Sequence, residues 1–231
     1  MNTNIGGNHL NSYVSKNYPF RKWTWKVAGW AFVCFFLISI ITAFFSFTFD
    51  PILFDNKMGY YYSYFAIIFY TLILYFFYER FGNNWFGLFG FGLSGVIGIP
   101  IEYFIEWQVN HSLKSPWYAV AWGGIYILYG LIADLLYWAF KLQQNQILTV
   151  VGSAALFSIL FILISYLPLK TFYVAIEPSS DFKDYLQFWY FMIPFSVIEG
   201  IIGAYAGTKI AQNILNKESK NVINHSEGFN K

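Results

Sequence analysis

The sequence predicts an all-α integral membrane protein, a bundle of six transmembrane helices with both termini in the cytoplasm. Three observations predict it. Of the 231 residues, 57% are hydrophobic and 11% charged, against about 25% charged in a soluble domain. The apolar residues gather in six runs, each long enough to cross a bilayer, for which about 18 residues suffice. Lys and Arg then fall unevenly on the two sides of those runs, and the richer side is cytoplasmic. The expected organisation is a polar tail over 1–22, a six-helix domain over 23–215 and a second polar tail over 216–231.

The first run, 27–48, holds no ionisable residue apart from the thiol of Cys34, the single cysteine, so no intrachain disulfide can form. No A-x-A cleavage site follows it, so it is expected to stay as an uncleaved anchor. The runs 59–78 and 147–169 are also free of Asp, Glu, Lys, Arg and His. The third, fourth and sixth runs, 85–105, 117–140 and 188–215, each tolerate carboxylates. No strand-like alternation appears, which excludes a closed barrel.

Lys16, Arg21, Lys22, Lys26, Arg80, Lys141, Lys209, Lys217, Lys220 and Lys231 collect on one side, and only Lys57, Lys114, Lys170 and Lys183 on the other. Trp23, Trp25, Trp85 and Trp138 mark the inner edge, and Trp107, Trp117 and Trp189 the outer edge. The inner loops 79–84 and 141–146 are short. The longest outer loop, 170–185, interleaves Phe172, Tyr173 and Phe182 with charges and reads as a lid.

The candidate chemistry lies in four intramembrane acids, Glu102, Glu106, Asp134 and Glu199. Their three helices also carry small residues four apart: Gly90, Ser94 and Gly98, then Ala119 and Gly123, then Gly203, Gly207 and Ala211. Such spacing lets backbones approach closely, so the third, fourth and sixth helices are expected to pack together. A carboxylate facing lipid costs at least ~2.5–3.5 kcal/mol, so Glu199 is expected to look inward, near the midplane and below Pro194. Two readings of it stand: a structural hydrogen bond to a neighbouring span, or a ligand, ion or proton site. Glu102 and Glu106 lie one turn apart and read either as a wetted interfacial pair or as the polar wall of an outer pocket. Trp107, Trp117 and Trp122 would cap that pocket. Asp134 reads first as a structural partner of Arg80 or Lys141.

Several chemistries are excluded. A net charge of +2 does not suit nucleic acid. Three histidines, two of them in the tails, cannot build a paired-histidine haem or a histidine-rich metal cluster. No phosphate-binding G-x-x-x-x-G-K-[ST], G-x-S-x-G or H-E-x-x-H motif occurs. No cofactor and no metal are expected, and any ATP use would belong to a partner. The expected ligands are the lipid bilayer and a small molecule or ion.

The last third, YLPLKTFYVAIEPSSDFKDYLQFWYFMIPFSVIEGIIGAYAGTKIA, is similar to the C-terminal end of the substrate-specific S components of energy-coupling factor (ECF) transporters. The resemblance covers about residues 166–211: an aromatic outer loop, then a helix with "IPF…EG" and small residues. It implies six helices, a substrate bound from outside, and dependence on a separate coupling subunit and ATPase. Val27-Ala28-Gly29-Trp30-Ala31 departs from the A-x-x-x-A docking pattern of that family's first helix. The alternatives are a membrane-embedded enzyme acting on lipid or isoprenoid substrates, and a non-catalytic accessory membrane protein.

Overall fold

The structure, a computed structural model, describes residues 24–44, 62–82, 85–98, 116–168 and 180–228, together with 100, 101 and 104. Among these no strand occurs, and they form six α-helices. They are α1 (Trp25–Phe44), α2 (Tyr62–Phe81), α3 (Phe86–Leu93), α4 (Pro116–Lys141), α5 (Ser153–Pro168) and α6 (Ser180–Gly228). A wider π-helical turn, Ser94–Gly98, prolongs α3, and another, Leu148–Gly152, leads into α5. Three stretches, Trp25–Phe44, Val120–Lys141 and Leu148–Ser165, are long and apolar enough to cross a membrane.

The helices close into a ring in the order α1–α2–α6–α5–α4–α3, each packed on its two neighbours. Their register shows alternating direction. Trp30 near the start of α1 meets Phe77 and Phe81 near the end of α2, whereas Thr42 near the end of α1 bonds Tyr70. Along α3 and α4, Gly87 faces Gly130 and Gly95 faces Gly123, an antiparallel pair. On α6, Gly203 abuts Ile68 and Gly207 abuts Leu72, so α2 and α6 run parallel. The start of α1 and the Lys209–Glu218 part of α6 therefore share the end that carries Arg80 and Lys141, here termed the basic end.

Aromatic rings fill the inside of the ring. Midway, Tyr70, Phe91, Tyr129 and Phe161 converge from four helices, with Tyr129 stacked on Phe161 at 4.1 Å between centroids. Nearer the basic end, Tyr75, Tyr78 and Tyr137 form a second layer. Their hydroxyls are occupied: Tyr75 bonds Ser153, Tyr129 bonds Ser165 and Tyr70 bonds Thr42. The outside is the reverse, with Phe32, Phe36, Phe69, Ile198 and Ile202 exposed. Large apolar side chains turned outward in such numbers suit a lipid surround rather than water.

Two expectations change here. The small residues of the third, fourth and sixth helices do not pack together: α3 does pack on α4, but α6 lays its small face on α2 and α5. The contact between α3 and α4 runs through Gly87, Gly95, Gly123 and Gly130, which recur at two-turn intervals. Gly90 and Ser94 face α1 instead, at Cys34, Ile38 and Ser39. Finally, α6 continues as helix through the polar residues 216–228. Of the 170–185 loop, residues up to 179 lie outside the described residues, and Ser180 already begins α6.

A side chain at position 207 would drive into the Leu72 carbonyl oxygen and the Phe76 amide, whereas Ile202 is 52% exposed. Gly207→Leu should lower the thermal midpoint of the detergent-solubilised protein, at a cost of about 1–3 kcal/mol or more. Ile202→Leu should leave it unchanged. Equal melting of the two variants would refute close packing of α6 on α2.

Candidate functional site

Asp134 occupies the second turn from the end of α4 and is 1% exposed. Its Oδ1 accepts hydrogen bonds from the Tyr78 hydroxyl at 2.8 Å and the Gly87 amide at 3.0 Å, and its Oδ2 accepts from the Leu88 amide at 2.7 Å. Both oxygens are engaged, as a buried carboxyl requires. Gly87 and Leu88 are the second and third residues of α3, whose amides have no partner within their own helix. Ordinarily a Ser, Thr, Asp or Asn at the preceding position would cap them. Here that position is Trp85, in the left-handed region at φ 60° and ψ 32°, with no side-chain cap. Asp134 supplies the cap from another helix.

The sequence around it fits this task. Any side chain at position 87 would collide with the Gly130 carbonyl oxygen, the Tyr78 hydroxyl and Asp134 Oδ1, all within 3.0 Å of an ideal Cβ. Gly130 is equally obligatory, since its Cβ would overlap the Gly87 carbonyl. Tyr78 is fixed by stacking on Tyr137 at 4.4 Å and 25°. Thus α2, α3 and α4 are joined at one carboxylate. Asp134 was expected to pair with Arg80 or Lys141; its described donors are instead Tyr78, Gly87 and Leu88, and Arg80 Nη2 binds Glu218 Oε1 at 2.7 Å.

Glu199 is different. On α6 the residues Ser196, Gly200, Gly203, Ala204, Gly207, Thr208 and Ala211 form a buried stripe, and Phe195, Ile198 and Ile202 form an exposed one. Glu199 lies on the border and is half-buried. Its Oε2 is buried yet has no hydrogen-bond partner among the described residues, and the same holds for Ser196 Oγ one turn earlier. Pro194, inside α6, withholds the amide that would have bonded the carbonyl four residues before it.

The other expected site residues fall largely outside the described residues. Glu102, Glu106 and Trp107 lie outside the described residues. Trp117 stands in the first turn of α4 with its side chain undescribed, and Trp122 is half-buried against the core, next to Gly123. Sequence reasoning missed the role of Tyr78 and Gly87. The signal for Gly87 was present in the glycine-rich start of α3, FGLFGFGL, but that for Tyr78 was not.

Removing parts of the Asp134 cap should destabilise the protein in a fixed order, read as thermal midpoints in detergent. Tyr78→Phe deletes one donor and should cost about 1 kcal/mol. Asp134→Asn replaces one of the two acceptor oxygens by an amide donor and should cost about 1–3 kcal/mol. Asp134→Leu strands three buried donors and should cost most. A mild effect of Asp134→Leu would show that the cap does not hold α3.

No protein-family model, curated protein or solved structure matches this chain.

Proposed function

We propose that this chain is a six-span membrane protein with cytoplasmic termini that binds a small molecule or ion from the outer side as a component of a transport system. The observation that carries this reading is Glu199, a carboxylic acid in the apolar part of α6 with a buried, unpartnered oxygen. An acid within a membrane helix is costly and is retained where it meets a substrate, an ion or a proton. Asp134, by contrast, has both oxygens engaged in holding α3. It is therefore a poor partner for Glu199 in acid–base catalysis, which argues for binding over the alternative of an enzyme on lipid substrates.

The aromatic layers support a binding subunit rather than an open channel. Tyr70, Phe91, Tyr129 and Phe161 meet across the bundle, and Tyr75, Tyr78 and Tyr137 lie beyond them towards the basic end. A ligand reaching Glu199 from the opposite end would meet a packed floor, and its passage would need work from a partner. That is the arrangement the resemblance to ECF S components implies, with a separate coupling subunit and ATPase. The alternation of the helices, with Arg80, Lys141, Lys209 and Lys217 at one end, favours that end as cytoplasmic.

Two measurements test this. In intact cells with Cys34→Ala, an impermeant maleimide should label Ser180→Cys and leave Asn2→Cys unlabelled, and the reverse pattern would overturn the orientation. Native mass spectrometry of the purified protein should show a retained small molecule, and Glu199→Gln should lose it while keeping its helical content. Equal retention by the Gln variant would remove Glu199 from the site, and no retained species in the parent protein would count against substrate binding.

A further inference from the structure

The outward stripe of α6 is apolar or aromatic through Phe195, Ile198, Ile202 and Tyr205, and its next member, Lys209, is charged and exposed. The ammonium turns back along the helix, with Nζ 5.4 Å from the centroid of the Tyr205 ring. Its depth follows from the contact with α2. Gly207 abuts Leu72 on that parallel helix, so Lys209 lies level with about residue 74, roughly six residues before Arg80. That places it about 9 Å from Arg80 towards the apolar middle of the bundle. Counted along α6 to Glu218, which pairs with Arg80, the distance is about 14 Å. No described acid pairs with Lys209. The basic end carries Lys26, Arg80, Lys141, Lys209 and Lys217 against Glu79 and Glu218. Both acids are already engaged, Glu79 by Gln212 and Glu218 by Arg80.

We infer that Lys209, set against Tyr205 on the outward face of α6, binds the phosphate of an anionic phospholipid from the leaflet at the basic end. A charge turned towards lipid at this depth is expensive unless it meets a counter-charge. The long lysine stem lies along apolar surface while its head swings to the headgroup layer, and an anionic leaflet attracts each such charge. A soluble acidic partner would have to enter the hydrocarbon to reach Lys209. A phospholipid already lies there, with its acyl chains along Ile198, Ile202 and Tyr205. A zwitterionic headgroup brings its own ammonium and leaves the excess of basic residues at this end unbalanced. The Tyr205 ring holds Nζ against the helix, which limits the freedom lost when the phosphate binds. The site needs neither Glu199 nor a transported ligand, so it goes beyond the transport reading and does not rest on it.

The test titrates the delipidated full-length chain, in a neutral detergent at constant ionic strength, with dioleoyl phosphatidylglycerol or dioleoyl phosphatidylcholine. Thermal midpoints and native mass spectra are the readouts. Phosphatidylglycerol should raise the midpoint saturably and persist as a discrete adduct, and phosphatidylcholine and inorganic phosphate should do neither. Lys209→Gln should raise the half-saturating phosphatidylglycerol concentration at least about fivefold, the worth of one basic residue near an anionic surface. Lys209→Arg should restore it, and Tyr205→Leu should raise it about threefold by releasing the ammonium from the ring. Lys217→Gln should leave it nearly unchanged. Equal responses to the two lipids, or a phosphatidylglycerol response unchanged by Lys209→Gln, overturn the site. An equal loss from Lys217→Gln also overturns it, in favour of attraction to the net charge of that end. Stabilisation by inorganic phosphate alone overturns the lipid as its source, and a dimer mass without bound lipid overturns it in favour of a second copy covering this face. If Lys209→Gln does not purify, Tyr205→Leu decides, and an unchanged response in it refutes the inference.

Discussion

The constraint on which the bundle depends is the one common to every helix that begins inside a low-dielectric interior: its first amides need acceptors. In α3 they find them on Asp134 of α4. Two backbones must be almost in contact for a short Asp side chain to reach, hence glycine at 87 and at 130. The same carboxylate takes the Tyr78 hydroxyl and so fixes α2 as well. From Tyr78 the order extends through stacked Tyr137 and perpendicular Tyr75 to Ser153 at the head of α5. Four of the six helices are thus registered by one polar group and the rings packed around it. In apolar surroundings each of these bonds matters more than in water, because an orphaned donor has no solvent to turn to.

Much of the architecture was legible in the sequence. The apolar runs located all six helices because length and apolarity are properties of single segments. The packing partners were less legible. Gly203 and Gly207 announced a close contact, but nothing local to α6 says whether the approaching backbone is α2 or α4. The glycines that join α3 to α4 repeat at seven and eight residues, which a search for four-residue spacing passes over. Asp134 was seen as an acid near the basic end, and Arg80 and Lys141 were the natural partners by charge. The donors it meets are the Tyr78 hydroxyl and two backbone amides, and backbone amides are marked by no sequence pattern.

Glu199 was the easiest residue to single out, and its surroundings were the hardest to foresee. A lone acid in an apolar helix stands out at once. The Ser158 and Thr71 hydroxyls, each bonded back within its own helix, meet the α6 backbone at Gly200 and Gly203 rather than the acid itself. Ser and Thr in apolar helices commonly bond back to the preceding turn, and doing so turns each from a donor and acceptor into an acceptor alone. Asp134 and Glu199 thus differ: Asp134 is met by donors from its own protein, and Glu199 keeps a buried oxygen with no partner among the described residues.

The length of α6 has a mechanical side. At 49 residues it measures about 73 Å along its axis, far more than the hydrocarbon thickness of about 30 Å. A tilt of about 5° around its centre would move each end by roughly 3 Å on this geometry. At Glu218, nearer the centre than the helix end, the same tilt gives roughly 2 Å, enough to open the 2.7 Å contact between Arg80 and Glu218. The helix is in effect a lever with Pro194 and Glu199 on one arm and the Arg80 ion pair on the other. A rearrangement too small to disturb packing around the acid would be magnified to a broken or re-formed contact at the far end.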